Sequence, residues 1–314
     1  MLFWLLRLLR ALTVILAVTA LAAGITLLLP GDPVLTLLGY ESTEAQREEL
    51  RETLGLNLGY WERFGSILAG LAVGDLGTSF QSGRPVMSEI LNRLPATLQL
   101  ILSAQVLAVV IAVPVALYGA KKQGGAFDRI TSGASFLLLA LPGFVVGIVL
   151  IYGLAVVTKL LPASGYTAFV DDPVQNLRYM VLPVLTLALA EAAVYTRTLR
   201  GAAIESLDEP FADAAIIRGA SNARLLWRRI LRPSLPPLIT IVGLNIGVAL
   251  GGTLLIESLF AVPGIGRLAI SAIESRDIPL IQGIAILAAI GVVVMSIVID
   301  LILTRVDPRS RHAH

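Results

Sequence analysis

Cysteine is absent from the 314 residues, and histidine occurs only at His312 and His314. Without cysteine there is no disulfide scaffold and no thiolate zinc site. Without an internal histidine, the Ser–His and Cys–His nucleophile pairs lose their base. Lysine is scarce too: Lys121, Lys122 and Lys159 follow Ala120, Lys121 and Thr158, so no Gly-Lys step exists. A phosphate-binding loop of the Gly-x-x-x-x-Gly-Lys-Ser/Thr type is thereby excluded. Charge is thin at 15% of residues, against about 25% in a soluble domain. Hydrophobic residues make up 56%, and the mean hydropathy is +0.83. These values exclude a water-soluble globule. The net charge of +2 carries no sign of a nucleic-acid partner. Repeats, low-complexity tracts and flexible linkers are also missing.

What is present is a set of six apolar runs: Ala11–Leu29, Leu98–Gly119, Gly133–Thr158, Met180–Leu199, Leu238–Ile256 and Leu280–Leu303. A hydrocarbon core about 30 Å thick needs roughly 20 apolar residues per spanning helix. Uninterrupted runs do not alternate as barrel strands do, so the fold class is an all-α membrane protein with six transmembrane helices. Orientation follows from Lys and Arg in the connections, which divide 15 to 9 between the two sides. Five of the nine lie in one long connection, where charge has little influence. Both the N and C termini are therefore expected in the cytoplasm. A cleavable signal peptide ending at Ala20-Leu21-Ala22 is the alternative for the first run, but the apolar stretch continues to Leu29.

The connection from Pro30 to about Pro95 is the one sizeable polar block. Thr43 and Gln46 fit a capping box ahead of a charged helix, Glu44–Leu54. Trp61, Phe64, Leu68 and Leu71 then recur at helical spacing. That stripe suits packing on the bundle or at the headgroup level, with solute contact as the other reading.

The connection Gly201–Pro237 is longer than a passive link and more patterned. Residues 211–219 suit a short helix with Asp213 near its positive end and Gly219 as its stop. Residues 220–233 set Leu225, Leu226 and Ile230 against Arg224, Arg228 and Arg229, an amphipathic basic helix. It reads either as an interfacial helix held by anionic lipid or as a docking element for a cytoplasmic partner.

At this point the chain resembles a known family. Asp213-Ala214-Ala215, then Gly219, then Arg229-Ile-Leu231 is similar to the "EAA" loop of ABC importer permeases: Glu-Ala-Ala, three residues, Gly, nine residues, Ile-x-Leu-Pro. Here Asp replaces Glu, Arg229 replaces Ile, Arg232 replaces Pro, and Pro233 comes one place late. Such departures resemble the dipeptide/oligopeptide (and nickel) branch. So do Leu29-Pro-Gly-Asp-Pro33, Gly74-Asp-Leu-Gly77, Leu94-Pro-Ala-Thr-Leu98, Pro263-Gly-Ile-Gly266, Arg276-Asp-Ile-Pro279 and Asp307-Pro-Arg309, in that order along the chain. Ser296 and Leu303 depart from the Asn and Tyr often found there, a matter of local packing in the last helix.

The resemblance implies a MetI-like, type I importer permease in a bacterial inner membrane, with no cofactor or metal of its own. It implies a second homologous permease subunit, two ATP-binding subunits carrying ATP and Mg, an extracytoplasmic solute-binding protein and surrounding membrane lipid. Asp213, Ala214, Ala215, Gly219 and Leu231 become the ATPase-coupling residues. The expected division is an N-terminal span (1–29), an extracytoplasmic segment with short amphipathic helices (30–96), a five-span core (97–305) containing the coupling loop 201–237, and a cytoplasmic tail (306–314).

Within the runs the polar residues are few. Gln105 and Asn245 suit either the translocation pathway or hydrogen bonds between helices. Glu257 suits a gate, a solute contact or an interfacial pairing. Glu191 and Asp300 are read as lying toward the cytoplasmic ends and pairing with arginines such as Arg305. With no acid expected near the midplane, an ion-coupled secondary transporter is the less favoured alternative, as is the same importer class carrying nickel or a metallophore. An intramembrane protease is disfavoured because no His or Cys accompanies the serines. Gly247, Gly251 and Gly252 would let helices approach closely.

Overall fold

The computed structural model describes residues 2–28, 33–39, 41–53 and 57–306. Most of the Leu29–Pro33 motif, the end of the charged helix at Leu54, and the tail with Asp307-Pro-Arg309 and both histidines lie outside the described residues. The described chain is helical, and the sole β feature among those residues is an isolated bridge between Thr78 and Pro85. The helices are α1 Leu2–Leu28, α2 Pro33–Leu38, α3 Glu44–Thr53, α4 Tyr60–Val73, α5 Val86–Lys121, α6 Ala126–Ala140 and α7 Gly143–Leu150. A π-helical stretch, Ile151–Val157, continues α7. Then come α8 Pro173–Leu207, α9 Pro210–Ile217, α10 Asn222–Arg224, α11 Leu231–Gly252, α12 Leu254–Leu259, α13 Ile265–Glu274 and α14 Ile278–Val306. A second π-helical stretch, Leu225–Ile230, joins α10 to α11.

Among the described residues, four helices are long and apolar enough to cross a membrane, or five if α6 and the α7 stretch count as one broken span. α1 contributes a shorter apolar portion, Leu9–Gly24.

Two apolar runs differ from expectation. The third, Gly133–Thr158, is not one straight helix but is bent by 107° between α6 and α7. Leu141 is extended there (φ −92°, ψ 134°), because the ring of Pro142 disfavours a helical residue before it. The fifth, Leu238–Ile256, stops at Gly252 and restarts at Leu254. Two consecutive glycines followed by a β-branched threonine weaken the ladder there.

The chain divides into two compact units. The first comprises Met1–Thr97, Leu250–Leu254 and Pro263–Val294. Its core joins Val86 and Ile90 of α5 to Ile265, Leu268 and Ala272 of α13 and to Leu280 and Ile284 of α14. The apolar positions of α13 recur at intervals of three and four, so one face is buried while Arg267 stays exposed. The expected capping box forms: Gln46 Oε1 accepts from Thr43 N (2.9 Å), and Thr43 Oγ1 accepts from Gln46 N (3.4 Å). The aromatic stripe lies on α4, with Phe64, Leu68 and Leu71 half-buried and Trp61 exposed. α4 packs on α1, where the Tyr60 hydroxyl donates to Ala20 O at 3.1 Å.

The second unit comprises Leu98–Ala249, Leu255–Val262 and Met295–His314. In it α8 packs against both α6 and α7. The α6–α8 contact is fastened by a bidentate pair: Arg200 Nε and Nη2 donate to Asp128 Oδ1 (2.6 Å) and Oδ2 (2.8 Å). The Gly124 N–H also donates to Oδ2, at 2.9 Å. Asp128→Ala leaves the guanidinium and this amide without their acceptor. Because Arg200 keeps 26% side-chain exposure, water relieves part of the loss, and the expected destabilisation is about 2 kcal/mol. Denaturant unfolding in detergent measures it, and Asp128→Asn should lose less.

Candidate functional site: the segment between α8 and α11, and a buried polar knot

The connection over 201–237 is mostly helix and contains the short helix and the amphipathic basic helix expected within it. α8 runs on to Leu207, and the chain from Asn222 continues through the π-helical stretch into α11. Only the piece around α9 stands apart. Pro210 occupies the first helical position, where its missing N–H costs no ladder bond. Asp213 lies in the first turn and is exposed, where its charge complements the helix dipole. Ala212 and Ala215 are buried against α8 and the Leu225–Ile230 stretch, and Ala214 is half-buried. Their small side chains let α9 lie close to its neighbours.

Gly219 ends this helix by the expected route. Its φ is +75°, a left-handed conformation that glycine adopts without steric penalty. The Gly219 N–H donates to Ile216 O (2.9 Å), and the Ala220 N–H donates to Ala215 O (3.0 Å). That pair of bonds is the Schellman pattern, which satisfies two orphan carbonyls and fixes the exit direction. Phe211, Ile216 and Ile217 are left exposed at 39%, 55% and 86%.

Past the stop, Ser221 caps α10 by accepting from Arg224 N at 3.4 Å. Leu225, Leu226 and Ile230 are buried, while Arg224, Trp227, Arg228 and Arg229 face outward and Leu231 is half-buried. The amphipathic basic helix is therefore real. Its π-helical geometry was not readable from the residue pattern. Ser234 fastens it to α8: its hydroxyl donates to Ile230 O (2.8 Å) and lies 3.0 Å from the Ser206 hydroxyl.

Gln105 and Asn245 converge although they belong to α5 and α11. Between them stand Glu191 and Tyr195 of α8. The Asn245 Nδ2 donates to the Tyr195 hydroxyl at 3.2 Å. That hydroxyl lies 2.5 Å from Gln105 Oε1 and 2.7 Å from Glu191 Oε2. Gln105 Nε2 closes the ring by donating to Glu191 Oε2. Gln105, Glu191 and Tyr195 are all buried. The polar residues thus bond helix to helix. Glu191 corrects the sequence reading twice: it is the nineteenth of the thirty-five residues of α8, not near one end, and its partners are uncharged rather than arginines. The apolar flanks hid this, because nothing local in a run of alanines and leucines marks which face meets α5.

Glu257 does not join the knot. It lies fully buried in α12, and its carbonyl accepts from Val262 N at 2.8 Å. Asp300 is half-buried in α14. No group of three or more metal-ligating side chains occurs among the described residues.

One site was missed. Asp277 is buried and gathers the Ser79 hydroxyl (2.5 Å), the Phe80 N–H (3.1 Å) and the Gln81 N–H (3.3 Å). It also caps α14 by accepting from Leu280 N at 3.4 Å. Its position inside the Arg276–Pro279 motif was the available signal, and the segment it fastens, Ser79–Gln81, lies 198 residues away in sequence at Ser79, just past Gly74–Gly77. Arg276 beside it sits at φ +55° and ends α13 by the same Schellman pattern that Gly219 uses.

Comparison with known proteins identifies the family. Residues 108–312 match the family described as "Binding-protein-dependent transport system inner membrane component". Residues 1–101 match "Binding-prot-dependent transport system membrane comp, N-term". A probable peptide ABC transporter permease of Sinorhizobium fredii is 34% identical over 285 residues, 91% of each chain. The dipeptide transport system permease of Escherichia coli is 31% identical over 319 residues, 94% of each chain. The oligopeptide transport system permease of Bacillus subtilis is 32% identical over 309 residues, 98% of each chain. With a match over most of its length and relatives of this identity along nearly all of it, the chain belongs to the inner-membrane components of binding-protein-dependent transport systems.

Proposed function

We propose that this chain is one of two permease subunits of an ATP-driven importer for dipeptides, oligopeptides or similar small solutes. Its relatives, named as peptide, dipeptide and oligopeptide permeases, support the solute class. Six crossings are proposed, made by α1, α5, the α6–α7 pair, α8, α10–α11 and α14, with both termini in the cytoplasm. The excess of basic residues in the connections of one side supports that orientation. The partners are a second, homologous permease, two ATP-binding subunits and an extracytoplasmic solute-binding protein. ATP and Mg belong to the ATP-binding subunits, since this chain has no Gly-Lys step.

The observation that carries the coupling role is α9: a helix of eight residues with a fixed stop and an exposed Phe211, Ile216 and Ile217. A short stiff element with outward apolar side chains suits a groove on a partner, and closure of that partner on ATP then moves α8 and α11 together. Alternating access follows when this chain and the second permease rock about a central path. In this reading Asp213, Ala214, Ala215, Gly219 and Leu231 serve coupling, and Glu257 is kept as a candidate for the translocation pathway.

Reconstitution with candidate ATPase and binding-protein partners tests the proposal. Solute-stimulated ATP hydrolysis and ATP-dependent uptake are the expected results. Uptake without any ATPase, driven by a proton gradient, would replace this reading with a secondary transporter. Mass spectrometry of solute copurifying with the binding protein identifies the cargo.

A further inference from the structure

The knot of Gln105, Glu191, Tyr195 and Asn245 has a proton count that the ionised state does not meet. Three polar edges form a triangle: Tyr195 hydroxyl to Gln105 amide, Tyr195 hydroxyl to Glu191 Oε2, and Gln105 amide to Glu191 Oε2. Each edge needs one hydrogen. The Gln105 amide uses its oxygen on one edge and its nitrogen on the other, so it supplies one. The Tyr195 hydroxyl supplies one more, and Asn245 spends its own on the Tyr195 oxygen from outside the triangle. With Glu191 ionised, the third edge is a bare oxygen–oxygen contact. Reversing the Gln105 amide only moves that contact from the tyrosine edge to the glutamate edge. Neither orientation closes the ring with two hydrogens. Among the described residues the partners of the carboxyl are the uncharged Gln105 and Tyr195, both buried, so no countercharge there takes the place of the missing proton.

We propose that Glu191 is a positioning residue that works as an uncharged carboxylic acid, its O–H completing a closed ring that pins α5 and α11 to α8. The ring needs every hydrogen it holds, so Glu191 is a fastener and not a step in a proton path. A buried network of this kind sets which helix faces meet and resists rotation of one helix against another, provided that every member is satisfied.

Glu191→Gln is the informative variant, because its amide nitrogen, placed where Oε2 stands, brings two N–H groups, one for the Tyr195 oxygen and one for the oxygen of a reversed Gln105 amide, while a reversed Asn245 amide accepts from the Tyr195 hydroxyl, so that every edge is filled without a charge. Infrared difference spectra of the purified chain at neutral pH, parent minus Glu191→Gln, should contain the carbonyl stretch of a protonated carboxyl. This measurement needs no partner and stands apart from the transport reading. The second measurement rests on that reading: in the reconstituted importer Glu191→Gln should retain uptake within about threefold, while Glu191→Ala, which leaves two edges open, should lose about tenfold or more. A difference spectrum containing only ionised-carboxylate bands would overturn the proposal. So would a Glu191→Gln variant that inserts normally and yet transports as poorly as Glu191→Ala.

Discussion

Replacing Gly219 by proline is expected to reduce solute-stimulated ATP hydrolysis about tenfold or more, a coupling loss in the usual range for linked sites, while the chain still inserts and folds. Proline fails at this position for two reasons that add. Its φ is fixed near −65°, whereas Gly219 sits at +75°. It also has no N–H to donate to Ile216 O. Both changes fall on the stop of α9, beyond any apolar run, so the rest of the second unit has no reason to unfold. Gly219→Ala keeps the N–H and meets only the left-handed penalty of about 1–2 kcal/mol, so it should couple better than the proline variant. Asp213→Lys should uncouple by a different route: it reverses the charge in the first turn of the helix, at an exposed position, which works against the dipole. The measurements are ATP hydrolysis with and without solute, set beside membrane insertion. Equal stimulation in both variants would remove α9 from the coupling role.

Asp277→Ala is expected to cost about 3 kcal/mol of stability in detergent, the largest loss foreseen for a single side chain here. The carboxylate is buried and is the shared acceptor of a buried hydroxyl and three backbone N–H groups. Alanine removes the acceptor and leaves the donors behind. The turn from Ser79 to Arg84, closed on itself by Ser79 N–H to Arg84 O at 2.9 Å, then loses its attachment to the start of α14. Limited proteolysis should therefore cut within residues 79–84 of the variant before it cuts elsewhere. Asp277→Asn keeps one acceptor oxygen and should recover part of the loss. A variant as stable as the parent, with the turn still protected, would show that the loop is held by something other than Asp277.

Much of this was legible in the residues. Helix class, the capping box at Thr43 and Gln46, the short helix from Phe211 and its stop at Gly219 all follow from local chemistry: side-chain oxygens that reach backbone N–H groups, and a glycine where φ must be positive. Two kinds of feature were not legible. The bend at Leu141–Pro142 could have been inferred from the proline, but an apolar run hides it, because hydropathy counts residues and is blind to direction. Gln105 lies 86 residues from Glu191, and Ser79 lies 198 residues from Asp277. Only the folded path brings them near, and no periodicity encodes it. Glu191 was misplaced for a further reason: the helix that carries it extends well past the apolar run at both ends, so a position judged within the run shifts when the helix is measured whole.

The 107° turn between α6 and α7 sets a lateral footprint for the third apolar run. α6 has fifteen residues, and so does Gly143–Val157, giving two legs of about 22 Å each at 1.5 Å per residue. Neither alone matches a hydrocarbon core about 30 Å thick. Two such legs turned by 107° have an end-to-end span of about 26 Å and a bulge of about 18 Å to one side. A crossing made by this run would be a V lying on its side, with Leu141 and Pro142 at the apex. Such a V takes up about 18 Å of the membrane plane, where a straight helix takes up only its own diameter of about 10–12 Å.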